Sequence, residues 1–593
     1  MSFVDSEGTF LPDVPHNGVN RISYLDEDVL HLIFEHFDLQ PSSSTVVQTR
    51  KDLLSAAKTC RAFLEPALNS LWSVLPSFLP LLLLLPSAEV RNNRYVSPRP
   101  FLYLSRNLTY FIKFIDKLPL NIWERFDIHA PRVRSLFMER IHIVISPHVH
   151  LLIRSLRHRD NPLLPGLKEI CIPTCTPEWG ISESLDFSSA LLLASDSPLK
   201  FIHLEFNATS NSQFCIPFLI LLSVNSPNLT HLTLYGTAKL SLEFVICFRN
   251  LQSLDLRLSG TYLNSQFLQD LGKLDNLLDL TLETNPSYNG APVEQSDLTL
   301  STTNSTFIQL RRLHILGDLR SISRVLDHMH NLMNLTTLLI HDTNEGDENP
   351  WNGSSWDETD NPWNGSSWDK IDNPWNRCFA NISAFTAIKD IQINQSEDEP
   401  MSRHYALSTS SFYPLYKLNN ITSFVIKKAL LLGSDDDFRF LACAFPKLEK
   451  FVEARAVYTE GRTLACLFHF SQANRHLRKL KISVAFDISH NLKAINLLGR
   501  PTIIQDQQQP LESLHISSNF GTLNESEMVQ VAEFLDLIFP NLTTLKAYGS
   551  LYEISSWRQI QEIRVALQAA RIKASSSSTT ISSNDSGEHG IPS

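Results

Sequence analysis

The side chains best suited to chemistry in this sequence are its eight cysteines, a histidine pair and an acidic triplet. The cysteines are scattered, and the spacing of Cys171 and Cys175 has no second pair to complete a zinc site. His148 and His150 lack neighbouring partner ligands, and the Asp triplet at 435–437 lacks the spacing and glycine of a calcium loop. We therefore predict no metal, no cofactor, buried free thiols, and a solvated turn or helix start at the triplet.

Sequence motifs of common enzyme classes are missing from the chain. It contains no GxxxxGK[ST], no GxGxxG after a predicted strand, no HExxH and no GxSxG, and no cysteine lies in a nucleophile setting. The formal net charge of −11 and the absence of a dense Lys/Arg run disfavour nucleic acid as a partner. The apolar run over 71–85 is too short for a membrane span. We expect a protein that is not an enzyme.

A six-residue pattern, apolar-x-x-apolar-x-apolar, recurs along most of the chain. Its fourth and sixth positions alternate as in a short strand, and segments with helical spacing lie between copies. One strand and one helix cannot bury both apolar faces alone, so the copies must stack. Weaker copies at Leu448 and Leu542 lack the third apolar residue. The complete copies begin at Val133, Leu167, Leu199, Leu229, Leu251, Leu277, Leu310, Leu335, Ile388, Ile421, Leu477 and Leu511.

The array resembles leucine-rich repeats with longer, helix-containing units. That family often places Asn or Cys in the turn after the strand, as Cys175, Asn207, Asn285 and Asn519 do here, although other copies lack such a residue. The resemblance implies an α/β solenoid over residues 131–550, with a curved parallel sheet and helices on its convex side. The alternative is an ordinary α/β domain with Leu-rich strands. An extended concave surface suits a protein partner rather than a small molecule.

Residues 20–76 differ from the repeats and predict three short helices. Acidic residues at 26–28 favour a helix start, and a wide apolar stripe follows from Val29 to Phe37. A Pro-Ser-Ser-Ser loop at 41–44 separates this helix from a second one over about 51–64. So small a bundle needs a partner or a following domain to cover its apolar surface.

This segment resembles an F-box through residues 25–34 (LDEDVLHLIF), residues 54–63 (LSAAKTCRAF) and the pair Leu71-Trp72. Asp26 stands where the family usually has proline, and the loop between the first two helices is longer than the family norm. The resemblance implies docking on the small adaptor subunit of SCF-type ubiquitin ligases and, through it, on cullin. Packing within the helix bundle is the alternative role of each implied contact residue. The implied contact residues are Leu25, Leu30, Ile33, Phe34, Leu54, Cys60, Arg61, Phe63, Leu71 and Trp72.

Residues 122–126 (IWERF) and 130–136 (APRVRSL) are similar to the segment between F-box and repeats in the large F-box family of mushroom-forming fungi. With the repeats, this resemblance covers nearly the full chain. It implies a substrate-recognition adaptor in the ubiquitin conjugation pathway, located in the cytoplasm or the nucleus, with an unknown protein target. A leucine-rich-repeat scaffold without any ligase role is the alternative.

The remaining segments complete the predicted organisation. We expect a disordered N-terminus over 1–19, a helical linker over 77–130 and a flexible insertion over 343–378. A C-terminal helix over 551–573 and a disordered tail over 574–593 follow. The insertion repeats Asn-Pro-Trp-Asn-Gly-Ser-Ser-Trp with a period of twelve residues. Its tryptophans either form a binding strip or record a tandem duplication without function. They are Trp351, Trp356, Trp363, Trp368 and Trp375.

Overall fold

The chain divides into two compact units, Met1–Ile202 and His203–Ser593. The structure is a computed structural model. The residues described are 27–37, 39, 45–85, 88–92, 110–114, 123–137, 143–145, 162–172, 196–206, 212–237, 240–259, 261, 263–284, 307–329, 332–343, 374–395, 407–429, 431–453, 462–484, 491–493, 495, 510–517, 523–548 and 551–581.

The first unit begins with the three predicted helices, which pack around a small apolar core. Its helices are α1 (Glu27–Glu35), α2 (Val46–Thr59), α3 (Arg61–Ser73), α4 (Leu79–Leu82) and α5 (Glu124–His129), with a 3-10 turn at Ala130–Arg132. Its strands are β1 (Val74–Leu75), β2 (Ala88–Asn92), β3 (Tyr110–Phe114), β4 (Ser135–Phe137), β5 (Ile143–Ile145) and β6 (Glu169–Ile172), and β7 (Phe201–Phe206) straddles the boundary. The core of the three-helix bundle consists of Phe34, Leu39, Leu53, Ala57 and Ala67.

A parallel ladder starts directly after α3, ahead of the predicted boundary at residue 131. Strand β1 pairs with β4, and β4 pairs with β6, so that Leu75, Leu136 and Ile170 lie in successive strands at equivalent positions. The repeat array therefore begins at Val74, because the short apolar pair after α3 already supplies a strand. A separate sheet joins β2 to β3 antiparallel and β3 to β5 parallel.

The prediction of a helical linker over 77–130 is wrong in part. That segment contains helices α4 and α5, but it also contains strands β2 and β3. Strand β3 has the sequence Tyr-Phe-Ile-Lys-Phe, and aromatic and β-branched residue types are enriched in strands. The local β-propensity of this stretch thus decides its structure.

The second unit consists of repeats in which strands alternate with helical segments. Its helices are α6 (Ser212–Asn225), α7 (Ser265–Leu271), α8 (Leu319–His328), α9 (Pro374–Ile382), α10 (Asp435–Ala444), α11 (Ala465–Ala473), α12 (Glu525–Ile538) and α13 (Leu551–Ile581), with 3-10 helices at Glu243–Cys247 and Thr409–Lys417. Its strands are β8 (His231–Gly236), β9 (Ser253–Leu258), β10 (Asp279–Glu283), β11 (Arg312–Gly317), β12 (Thr337–Asp342), β13 (Asp390–Gln395), β14 (Leu407–Ser408), β15 (Ser423–Lys427), β16 (Leu431–Leu432), β17 (Lys450–Glu453), β18 (Lys479–Ser483), β19 (Ser513–Ser517) and β20 (Thr544–Tyr548).

The strands of the second unit confirm the predicted stacking of the repeats. Apart from β14 and β16, which pair with each other, they form one parallel sheet in chain order from β8 to β20. The register aligns the fourth and sixth positions of neighbouring copies; Leu280, for example, pairs with Leu313 and Leu282 with Ile315. The weaker copies at Leu448 and Leu542 also form strands, β17 and β20. The predicted α/β repeat fold is confirmed.

One face of this sheet is buried under the helical segments, and the described residues of the other face, which we call the open face, are mostly partly exposed. Buried and partly exposed residues alternate along most strands, as the two-residue period requires. Aromatic rings pack between the helices and the strands. The ring centroid of Phe412, in the 3-10 helix, lies 5.2 Å from the ring centroids of Phe424 in β15 and Phe379 in α9. Further along, Phe451 of β17 lies 5.3 Å from Phe470 of α11. These contacts place the helices against the buried strand face.

The predicted flexible insertion over 343–378 ends earlier than expected. Residues 374–378 belong to α9, and Trp375 and Cys378 are fully buried there. Trp375, Cys378, Phe379 and Ile382 recur at helical spacing and form the buried face of α9. Trp375 is therefore part of the core and not of a binding strip. The other four tryptophans, Trp351, Trp356, Trp363 and Trp368, lie outside the described residues.

The C-terminal helix is longer than predicted. Helix α13 extends to Ile581, so residues 574–581 of the predicted tail are helical. Its first half packs through the buried side chains of Trp557 and Ile560, and a helix propagates more easily than it starts. Residues 582–593 and the predicted N-terminal tail over 1–19 lie outside the described residues. No helix within the described ranges is long and apolar enough to cross a membrane.

Candidate functional site

Several of the predicted contact residues of the N-terminal helices are core residues. Leu30 and Phe34 are only 3% and 5% exposed. Phe63 and Leu71 are half-buried and pack against the same core, and the rings of Phe34 and Phe63 meet edge to face at 5.7 Å. Phe34, Phe63 and Leu71 thus pack within the three-helix bundle, and Leu30 is buried as well.

Trp72 is used inside the first unit as well. Its ring stacks on His129 at a centroid distance of 4.4 Å. Burial, and secondly the charge of Arg132, lowers the pKa of His129. The Arg132 guanidinium in turn donates to a Glu65 carboxylate oxygen at 2.7 Å. These contacts fasten α3 to the segment before β4.

The other predicted contact residues are partly or fully accessible. Leu54 and Cys60 are half-buried, whereas Arg61 is exposed. Ile33 is exposed as well. Leu25 lies outside the described residues. The predicted set thus mixes residues of the bundle core with residues of its surface.

A continuous apolar surface does exist on α1. Val29, Leu32 and Ile33 are 41%, 60% and 47% exposed. Their spacing of i, i+3 and i+4 places them on one side of the helix, away from the side that buries Leu30 and Phe34. We call these three residues the α1 apolar edge.

Only Ile33 of the α1 apolar edge was among the residues that the F-box resemblance implied. Val29 and Leu32 were missed. A signal for them was present in the sequence, because the nine residues of α1 include five apolar side chains. A helix of nine residues that packs through one apolar stripe buries only about two or three side chains. The excess predicts a second apolar face.

The open face of the sheet in the second unit is a second candidate surface. From β9 to β11 it carries charges of both signs that pair with each other. The Arg257 guanidinium donates two hydrogen bonds of 2.9 Å to the Asp255 carboxylate. Arg312 of β11 forms an ion pair with Asp279 of the adjacent strand β10. This part of the face is largely neutralised from within.

His314 lies on the same open face, in strand β11, and is poorly solvated. Its pKa is lowered to about 4, first by burial and then by the proximity of Arg257 and His341. Burial is also the first cause of the lowered pKa of His341, followed by Lys428 and Arg257. These histidines are therefore neutral at physiological pH.

We expect the protein to lose stability as the pH falls from 6.5, the usual pKa of histidine, towards about 4. The unfolded chain takes up a proton at His314 in this range and the folded chain does not, so stability increases with pH there. Because the ring is partly solvated, we expect a loss of about 1–2 kcal/mol.

Urea denaturation of the wild type and of His314→Gln at about pH 7.5 and about pH 4.5 measures this loss of stability. The variant should lose less, whereas His476→Gln, at an exposed position, should behave as the wild type; equal losses in all three would contradict the prediction.

The acidic triplet at 435–437 confirms the prediction of a turn or helix start. Ser434 and Asp437 form a capping box at the start of α10, and the Asp435 carboxylate accepts hydrogen bonds of 2.8 and 2.6 Å from the Thr463 amide and hydroxyl. The triplet is thus a helix start.

The described cysteines differ in exposure. Cys378 and Cys466 are buried free thiols, as expected, and burial raises the pKa of both. Cys247 and Cys443 are exposed, so the expectation of buried thiols is wrong for them. Within the described part of the chain, no group of three or more His, Cys, Asp or Glu side chains could hold a metal ion.

Comparison with known proteins yields structural neighbours only. No family model matches the chain, and no curated protein does. An internalin (inlF) from Listeria monocytogenes aligns over 67% of this chain and 79% of its own, with 13% identity and a TM-score of 0.29. The leucine-rich-repeat ectodomain of the receptor kinase GASSHO1/SCHENGEN3 from Arabidopsis thaliana aligns over 72% of this chain and 52% of its own, with 10% identity and a TM-score of 0.21. The repeat fold of this chain therefore rests on its own strand register.

Proposed function

We propose that this leucine-rich-repeat chain is a substrate-recognition adaptor of an SCF-type ubiquitin ligase. The observation that carries the proposal is the α1 apolar edge. Leu30 and Phe34 are already buried on another side of α1, so Val29, Leu32 and Ile33 remain for a partner. The F-box resemblance of the same helix names that partner as the adaptor subunit, which would connect the chain to cullin.

Simple energetics support a docking role for these three side chains. Fully burying an aliphatic side chain contributes about 1.5–3 kcal/mol, so covering half-exposed ones contributes about 1 kcal/mol each. A bundle of three short helices leaves this contribution unused when it is alone. An adaptor subunit with an apolar groove would recover it.

The repeats would supply the target-binding half of the adaptor. From β10 to β13 the open face of the sheet presents three outward positions per strand, and their identities differ from copy to copy. Such a surface binds a protein through many side chains at once. Holding the target on the same chain as the adaptor-binding helices raises its effective concentration at the ligase. The complex would act in the cytoplasm or the nucleus.

Co-purification of the full chain with the SCF adaptor subunit tests the proposal. We expect the wild type to retain the adaptor and Leu32→Asp/Ile33→Asp to lose it by at least about ten-fold, because two carboxylates would be desolvated at an apolar contact. Leu30 and Phe34 are unsuited to this test, since charges there would unfold the bundle.

The matched control is Ile308→Asp/Met333→Asp, which places two carboxylates at other exposed apolar positions, in the second unit. This variant should retain the adaptor as the wild type does. Thermal denaturation of all variants reports whether the fold is intact. A wild-type chain that fails to retain the adaptor would refute the ligase role and leave the alternative, a repeat scaffold whose N-terminal helices only cap the array.

A further inference from the structure

Four lysines converge on the open face of the last strands of the second unit, although they are far apart in sequence. Lys450 of β17 is in register with Lys479 of β18. Lys481 of β18 and Lys546 of β20 lie on either side of His515 of β19. We call Lys450, Lys479, Lys481 and Lys546 the lysine strip.

The ammonium groups of the lysine strip repel one another. Adjacent strands lie about 4.8 Å apart, and like charges on neighbouring strands are destabilising. Burial and then the charge of Lys479 lower the pKa of Lys481. Burial, followed by the charges of Lys479, Lys546 and Lys481, lowers the pKa of His515. A positive field thus persists at this place in a chain whose net charge is −11.

Carboxylates on the open face of these strands do not neutralise this field, although the charge of the inward-pointing Glu453 opposes the lowering of the Lys481 pKa. None of the outward positions in the described residues of β17 to β20 is Asp or Glu. Glu453 of β17 points inward and is paired with the buried Arg462. Glu449 and Glu512 precede β17 and β19 in the turns that enter these strands. In the earlier strands β10 and β11, by contrast, Asp279 neutralises Arg312 in an ion pair.

An aromatic side chain helps to fix the geometry of the lysine strip. The Lys481 ammonium lies 4.3 Å from the ring centroid of Tyr548, a cation–π contact. The Tyr548 hydroxyl lies 3.2 Å from Nδ1 of His515. Lys481 is therefore held at the surface and partly desolvated, which strengthens its interaction with an incoming anion.

We propose that the lysine strip binds an acidic peptide segment, rich in Asp and Glu, of the target protein. The proposal deepens the target-binding half of the proposed function. Four strands span roughly 15 Å, the length of about four or five extended residues. A peptide with a carboxylate at every second position would meet the lysines at this spacing. A longer polyanion such as nucleic acid would extend beyond the strip, and the net charge of −11 disfavours its binding to the chain as a whole.

Fluorescence anisotropy with the purified full chain tests this assignment. The probe is a labelled peptide of about ten residues with alternating Glu and Ser. We expect saturable binding that weakens as salt is raised from about 50 to about 300 mM. The variant Lys479→Glu/Lys481→Glu should reduce the affinity at least about ten-fold, because it reverses two charges at the centre of the strip.

The matched control is Lys389→Glu/Lys417→Glu, which makes the same charge change at exposed positions outside the lysine strip. It should retain wild-type affinity. Equal losses in both double variants, or no binding by the wild type, would overturn the proposal. Tighter binding of a single-stranded oligonucleotide of equal charge would overturn the choice of a peptide.

The outcome is independent of the ligase role. The adaptor subunit is not present in the anisotropy experiment, and Leu32→Asp/Ile33→Asp should bind the acidic peptide as the wild type does. Conversely, Lys479→Glu/Lys481→Glu should retain the adaptor subunit in co-purification. Failure of one proposal is therefore distinguishable from failure of the other.

Discussion

Removing the charge of either Glu453 or Arg462 is expected to destabilise the protein by about 3–5 kcal/mol, because it leaves the other charge buried and unpaired. Both side chains are fully buried, and Nη1 of Arg462 donates to Oε2 of Glu453 at 2.6 Å. Arg462 also donates to the carbonyl oxygens of Leu431 at 2.7 Å and of Ser483 at 3.1 Å. One guanidinium thus connects three neighbouring repeats.

The repeat pattern explains why this pair is sensitive. Glu453 occupies the third apolar position of its copy, where most other copies have Leu or Ile. Burial raises the pKa of the Glu453 carboxyl, and the charge of Arg462 opposes that rise. Arg462 also lies 4.1 Å from the ring centroid of Phe438, so α10 contributes a cation–π contact. The glutamate is tolerated in the core because of these partners.

Urea denaturation of Glu453→Leu, Arg462→Met and the double variant measures the effect. The double variant should recover most of the stability lost in the single ones, because apolar residues of similar volume often replace a buried ion pair without cost. Arg439→Met, which breaks the exposed pair with Asp436, is the control and should cost less than about 1 kcal/mol. Single variants that cost no more than this control would contradict the prediction.

The positions of the strands could be predicted from the sequence, because the burial of alternate residues leaves a strong apolar pattern. Leu313 and Ile315 are buried in β11 with the spacing that the pattern predicts. Even the copy ending at Glu453 was found, since its first two apolar positions remain. The same approach failed at Trp375, where the neighbouring tandem repeat obscured the helical spacing of α9. Local composition misleads where a repetitive segment ends inside a packed element.

The candidate surfaces were harder to predict than the fold. The F-box resemblance identified α1 but did not separate the buried Leu30 from the exposed Leu32, because which side of a helix is buried depends on tertiary packing. The lysine strip could not be found as a dense run in the sequence. Lys450 and Lys546 are far apart along the chain, and only the parallel register brings them to one face. Surfaces built across repeats emerge from stacking.

Replacing Gly317 by alanine is expected to destabilise the second unit by at least about 3 kcal/mol. Gly317 ends β11 with a φ of +138°, which disfavours any side chain. An added Cβ would lie 2.0 Å from Oγ1 and 2.3 Å from the backbone oxygen of Thr284. The Thr284 amide and hydroxyl donate to the Leu316 carbonyl at 2.7 and 2.9 Å, so relieving the clash would disrupt the end of the β10–β11 pair.

Urea denaturation again provides the measurement, with Gly272→Ala as the matched control. Gly272 has a φ of −63°, which alanine adopts readily, so that variant should change stability by no more than about 1 kcal/mol. A Gly317→Ala protein as stable as the control would mean that the strand end moves freely away from Thr284. Because the sheet continues on both sides of β11, we expect the opposite: a rigid register in which one methyl group cannot be accommodated.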